Sequence, residues 1–272
     1  MTDFDRLRQA DLPSLRAEIR AGRYAGHTAG LGVGYLQANV VILPAASALD
    51  FMRFCQRNPK PCPLVGVSDT GDPMMHTLGR DIDISSDVPA YNIYRQGRLE
   101  GTTHDIRDLW TDDMVAFALG CSFTFEHALM QAGIPLWHVE NDTTVPMFRT
   151  NIDCVPAGPF RSRMVVSMRS VDPVRLDDVT RIARRYPLAH GAPVHHGNPV
   201  EIGITDITRP DWGDPAPLPD DEVPVFWACG VTPQVALEAA APPLCITHRP
   251  GHMLITDIPE DAETPVLSPA KR

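Results

Sequence analysis

Slid by 108 positions, the chain aligns with itself without a gap: Ala118–Leu136 reads ALGCSFTFEHALMQAGIPL and Phe226–Leu244 reads FWACGVTPQVALEAAAPPL. Seven of 19 positions are identical, namely Cys121/Cys229, Thr124/Thr232, Ala128/Ala236, Leu129/Leu237, Ala132/Ala240, Pro135/Pro243 and Leu136/Leu244, and Glu126 faces Gln234. Two copies of one supersecondary unit must each find the same kind of partner surface, so the chain is constrained to a fold with two related halves. Thr232-Pro233 reads as a helix start, with threonine as the cap and proline in the first turn. By correspondence Thr124 caps its own helix, and Glu126 falls in the first turn, where the helix dipole favours a carboxylate. Val223–Cys229 reads as a strand, and Met114–Cys121 with it. Each unit is therefore strand, cysteine turn, helix, Pro-Leu, strand, with the two turns expected near one another.

Caps and breakers place the other elements. Helices are expected over Leu12–Gly22, over Ser47–Arg57 and from Asp172-Pro173 to about Arg185. Strands are expected at Leu64–Ser68, Asp81–Ser85, Arg163–Arg169, Glu201–Ile207 and Met253–Ile258. The fold class that follows is mixed α/β (α+β), with two pseudo-equivalent strand-turn-helix-strand halves around mixed sheets. Residues 1–260 are expected to form one domain, or two intimate lobes over about 1–150 and 151–260, and 261–272 a loose C-terminal tail.

Charge narrows the partners. With 34 acidic and 24 basic residues the net charge is −10, which argues against nucleic acid or an anionic membrane as the main partner. Stretches such as Val115–Phe123 are far short of the ~18 apolar residues a spanning helix needs. The N-terminal MTDFDRLRQADLPSLRAEIR reads as an amphipathic helix rather than a signal peptide; a cytoplasmic location is expected. The six cysteines form no CxxC pair, so they read as reduced, mostly buried thiols and not as a zinc site. A symmetric homodimer is the default assembly on general grounds.

Candidate chemistry lies at the two turns and in Gly/Pro-constrained loops. Cys121-Ser122-Phe123-Thr124 and Cys229-Gly230-Val231-Thr232 each present unpaired N–H groups at a helix start, where an anion can bind and a thiol is acidified; both turns read equally as tight packing. HGAPVHHG holds His190, His195 and His196, and THRPGHM holds His248 and His252. Their spacing gives only a weak metal signal, and nothing special surrounds His76, His104, His127 or His138. VPMFRTNI offers Arg149 and Asn151. GHTAGLGVGYLQAN (26–39) is glycine-rich but matches neither a dinucleotide fingerprint nor a Walker loop. The 27 prolines, about twice the usual share, cluster around these segments, so the corners that hold the polar residues are rigid.

Taken together, GHTAGLGVGYLQANVVILP, DFMRFCQRNPKPCPLVGVS, GCSFTFEHAL, VPMFRTNI, AGPF, HGAPVH, VPVFWACGVTPQ and THRPGHMLITD resemble one family along nearly the whole chain: bacterial hydro-lyases related to mammalian mitochondrial D-glutamate cyclase. The resemblance implies closure of D-glutamate to 5-oxo-D-proline with loss of water. It carries no residue roles, so these come from the chemistry. Lactam formation must hold the α-carboxylate, deprotonate the α-ammonium, turn a γ-carboxyl oxygen into a leaving group and stabilise an oxyanion. The expected catalytic residues are His195 or His252 as base, Glu126 as acid if burial raises its pKa, and Cys121 as a weak acid or nucleophile. Arg149, Asn151, Ser122, Thr124, His190 and Cys229 are the expected substrate-binding residues. Two other readings stay open. One is a hydro-lyase for another small amino or hydroxy acid, with a divalent cation such as Mn²⁺ or Mg²⁺ polarising the carboxyl. The other is a non-catalytic carboxylate-binding accessory protein of 5-oxoproline metabolism.

Overall fold

The computed structural model describes residues 3–141 and 143–263. Its helices are α1 (Asp3–Leu7), α2 (Leu12–Arg20), α3 (Ala45–Arg57), α4 (Phe123–Gln131), α5 (Trp137–Glu140), α6 (Leu176–Arg184) and α7 (Val231–Ala240). Its strands are β1 (Tyr35–Pro44), β2 (Leu64–Val67), β3 (Tyr91–Arg95), β4 (Arg98–Thr103), β5 (Met114–Gly120), β6 (Met147–Asp153), β7 (Arg163–Val171), β8 (His195–His196), β9 (Val223–Ala228), β10 (Cys245–His248) and β11 (Leu254–Pro259). A seven-stranded sheet runs β2-β5-β1-β10-β3-β4 with β11 also on β1, and a four-stranded sheet runs β6-β7-β9-β8. Every pairing between named strands is antiparallel. The fold is α+β.

The repeat governs how the sheets are built. β5 runs beside β1 with Gly120 opposite Ala38, and β9 runs beside β7 with Ala228 opposite Val166. The turns that follow are bonded identically. The Cys121 N–H donates to Gln37 O, and the Gln37 N–H donates to Thr124 Oγ1. The Cys229 N–H donates to Val165 O, and the Val165 N–H donates to Thr232 Oγ1. On the far edge of β1, β11 places Leu254 opposite Ala38; on the far edge of β7, β6 places Phe148 opposite Val166. β5-β1-β11 and β9-β7-β6 are thus equivalent three-strand cores, and each unit's closing strand sits in the other unit's sheet. The helices cross over too. α4 leaves the large sheet and packs Phe125 and Leu129 against Val225 and Trp227 of the small one, whereas α7 leaves the small sheet and packs Ala236 and Leu237 against Val41 and Phe117 of the large one. A cut between the halves would strip each of a strand and of a covering helix.

Several expectations need correction. Thr124 and Thr232 do not cap helices: each helix begins one residue earlier with no side-chain cap, because each hydroxyl is committed to the neighbouring strand. After Pro135-Leu136 the first unit forms α5 rather than a strand, whereas Pro243-Leu244 does lead into β10. Asp81–Ser85 is a chain of turns held by Asp83 and Asp87 carboxylates, which accept from Ser85 and Asp83 backbone N–H groups. Glu201–Ile207 gives up its strand to a 3₁₀ turn, Pro199–Ile202, started by Asn198. Of the expected tail, Asp261–Glu263 is described and Ala262 packs on the core; the rest lies outside the described residues.

Candidate active site

The turn after β5 delivers Glu126 to the interior. There Arg169, projecting from β7 toward α4, donates through Nη2 to Glu126 Oε1 and, at 3.1 Å, to Ser122 Oγ, while Nη1 donates to Ser167 Oγ at 3.0 Å. The guanidinium lies 5.5 Å from the Phe125 ring centre and 5.2 Å from that of Trp227. His138 Nε2 sits 3.0 Å from the same Glu126 oxygen. All three residues are at least 95% buried, with exposures of 3% for Glu126, 4% for His138 and 3% for Arg169. Burial alone would raise the Glu126 pKa, but the adjacent His138 and Arg169 hold it down to about 2. The expectation of Glu126 as a buried acid is therefore corrected: it is a fixed carboxylate.

Glu126 and His138 form part of the wall of a cavity of about 250 Å³. The glycine-rich loop from Ala29 to Gly34 lines it opposite α4, whose Thr124, Glu126, His127 and Met130 face in; Arg8 and Glu260 also line it. Gln37 shapes the loop by donating through Nε2 to Thr28 O and Leu31 O. Its Oε1, together with Thr143 Oγ1 and His127 Nδ1, is buried without a hydrogen-bond partner among the described residues, and all three residues line this cavity. Buried polar atoms are normally satisfied, so these three atoms are hydrogen-bonding groups that a polar ligand in the cavity could meet. Glu260 Oε1 lies 3.8 Å from His127 Nδ1, and burial pushes its carboxyl pKa up. The cavity thus holds one carboxyl driven down and one driven up, the arrangement that separates base-side and acid-side chemistry. The Arg8 guanidinium, which has no ion-pair partner among the described residues, is the cation available to a ligand carboxylate.

Other expected site residues fall elsewhere. Cys121 and Cys229 come close enough to interact, as the repeat implied, but burial pushes their thiols up to about 12 and about 11. Both are neutral at physiological pH, so burial overrides the helix N-terminus and removes Cys121 as a nucleophile. Arg149 is exposed, 3.6 Å from Asp211 and stacked 4.5 Å over Trp212. Asn151 donates to Glu201 O, and His195 stacks on Phe226 and contacts Asn198 O. None of the three lines the α4 cavity. His190 is buried at φ 74°, its Nδ1 2.8 Å from Lys60 O, while Lys60 Nζ donates back to His190 O. His252 is tied to Pro250 O behind Gly251, itself a wall residue. Among the described residues no three His, Cys, Asp or Glu side chains gather as a metal site. Arg169, His138, Arg8 and Glu260 escaped the sequence reading. Only Arg169 carried a signal, as a cation inside the apolar run of β7.

Buried histidines set a pH dependence. His248 Nδ1 accepts the Val40 N–H where β10 and β11 share one edge of β1. Burial lowers the pKa of both His190 and His248 to about 4. A folded pKa below the unfolded value of about 6.5 means the unfolded chain binds more protons in between, so stability falls as pH drops from about 6.5 to about 4. Urea midpoints for wild type and for the His190→Asn/His248→Gln variant should converge as pH falls through that window; parallel curves would contradict the assignment.

A family model described as D-glutamate cyclase matches residues 115–257. A Dinoroseobacter shibae protein named "Putative hydro-lyase" is 70% identical over 98% of this chain and 89% of its own length. A Ruegeria pomeroyi protein is 69% identical over 98% of both chains, and a Jannaschia protein 62% identical over 94% and 97%; both carry the same name. A solved nitrogen repressor-like protein from Methanococcus jannaschii overlays 80% of this chain and 86% of its own at 11% identity and a TM-score of 0.37, too loose a likeness to argue from. No helix among the described residues is long and apolar enough to cross a membrane.

Proposed function

The chain belongs to the D-glutamate cyclase family, and on that premise we propose that it is a hydro-lyase closing D-glutamate to 5-oxo-D-proline in the α4 cavity. The observation that carries the reading is the Glu126–His138 pair, 3.0 Å apart in the wall of a glycine-walled cavity sized for one small molecule. In this reading Arg8 holds the α-carboxylate, and the α-ammonium meets His138 and the unpaired Gln37 Oε1. With Nε2 turned to Glu126, His138 has Nδ1 left to take a proton from the ammonium, and Glu126 stabilises the imidazolium that results. The freed amine attacks the γ-carboxyl carbon, forming the C–N bond. Glu260, whose carboxyl burial pushes toward the protonated form, supplies the proton with which the oxygen departs, the second nitrogen proton completes the water, and the proton held by His138 passes back to Glu260 to restore both groups. One ammonium and one carboxylate become one amide and one water, so charge and atoms balance. Holding amine and carboxyl together supplies much of the rate.

A histidine and a carboxylate within hydrogen-bond reach in the wall of one cavity support an enzyme over a carboxylate-binding accessory protein. The direct test is incubation of purified protein with D- and L-glutamate, with and without Mn²⁺ or Mg²⁺, followed by detection of 5-oxoproline. Product from D-glutamate is expected. No product from either enantiomer under any condition would remove the reading.

A further inference from the structure

The repeat has a consequence at α7. The α4 cavity is walled by Phe123, Glu126, His127 and Met130. Adding 108 to each gives Val231, Gln234, Val235 and Glu238, and these four residues line a second, more open cavity of about 310 Å³. The same face of the same helix, in the same register, therefore lines a cavity twice. Gln234 occupies the place of Glu126, so this cavity lacks the carboxylate that orients a base, and Val235 replaces His127. What remains is recognition chemistry. Gln234 is 6% exposed, and its Nε2 is buried without a hydrogen-bond partner among the described residues, a donor suited to a carbonyl oxygen. Glu238 stands one turn further along the same face and offers acceptors only. Tyr94 and Trp212 add flat aromatic surface, and Arg149 stacks on Trp212.

We propose that this α7 cavity is a second, non-catalytic ligand site that takes a small cyclic amide bearing a carboxylate. A lactam presents its C=O and N–H side by side. The C=O accepts from the Gln234 amide, the N–H donates to the Glu238 carboxylate, the ring packs on Trp212, and Arg149 is the nearby cation for the carboxylate. Free glutamate lacks the cis-amide and would bring its γ-carboxylate against Glu238. The choice of lactam rests on the cyclisation proposed above, since such a ligand is that reaction's product class and its binding here would let product act on the enzyme away from the α4 cavity.

The test uses full-length protein carrying His138→Asn, so that D-glutamate is not converted during the measurement, labelled with 5-fluorotryptophan, the Trp212 resonance being assigned with Trp212→Phe. The probes are 5-oxo-D-proline, 2-pyrrolidone and D-glutamate. Both lactams should shift the Trp212 resonance saturably, the carboxylate-bearing one at lower concentration, and D-glutamate should require at least ten times more. Glu238→Ala, at an exposed position, and Val235→Trp, which fills the cavity, should each raise the 5-oxo-D-proline concentration needed at least tenfold. A resonance that ignores both lactams, responds equally to glutamate, or moves identically in Glu238→Ala overturns the proposal. Because the readout is binding at Trp212, it stands or falls whether or not the protein cyclises glutamate.

Discussion

Replacing Arg169 by leucine is expected to lower the unfolding free energy by about 3–5 kcal/mol, the usual cost of leaving one member of a buried ion pair without its partner. Glu126 and Arg169 are each 3% exposed, and the guanidinium also satisfies Ser122 and Ser167. Removing it leaves the buried Glu126 carboxylate with His138 as its remaining side-chain partner among the described residues. The double variant Glu126→Gln/Arg169→Leu should recover a large part of the loss, because a neutral amide is much cheaper to bury than a lone charge. Urea midpoints at pH 7 read both. A single variant within ~0.5 kcal/mol of wild type, the range of an ordinary surface substitution, would contradict the account. The pH profile follows with its own sign. A Glu126 pKa of about 2 in the fold, below the ordinary carboxylate value of about 4.3, gives stability that is complete above the latter and lost as pH falls toward the former. That loss should be missing from Glu126→Gln.

The second large effect is on activity. His138→Asn and Glu126→Gln should each reduce kcat for 5-oxoproline formation at least ~100-fold, the lower end of what a positioned base contributes. Combined, they should cost little more than either alone, because the carboxylate acts only through the imidazole. Matching His195→Ala and Arg149→Ala variants, whose side chains lie outside the cavity, should retain activity. The reverse pattern would move the chemistry to the small sheet.

How much of this was legible in the residues depends on which forces were local. The 108-residue repeat announced the paired strand-turn-helix units because it preserves the side chains that build the turn, Cys121 with Thr124 and Cys229 with Thr232. It could not announce the exchange of β6 and β11, since strand partners are chosen by tertiary packing. It also misled on the threonines, whose hydroxyls suit a cap and a cross-strand bond equally well. Glu126 was legible as a candidate, but its protonation state was not, because the groups that set it, His138 and Arg169, lie 12 and 43 positions away. His138 sits in an unremarkable segment, and only the fold turns it toward a carboxylate. His190, His195, Arg149 and Asn151 drew notice because Gly and Pro hold their loops in set shapes. Rigidity of a loop, however, says nothing about which cavity it faces.

The central claim is that the α4 cavity, walled by Glu126, His138 and the glycine-rich loop, is where the amino acid binds and loses water. The most direct measurement is a crystal structure of the His138→Asn variant grown with D-glutamate. The account predicts the ligand between α4 and the Ala29–Gly34 loop, its α-carboxylate toward Arg8, its ammonium toward Gln37 Oε1 and its γ-carboxyl within reach of Glu260. D-glutamate seated instead against Arg149, Asn151 and His195, with the α4 cavity holding only water, would contradict it.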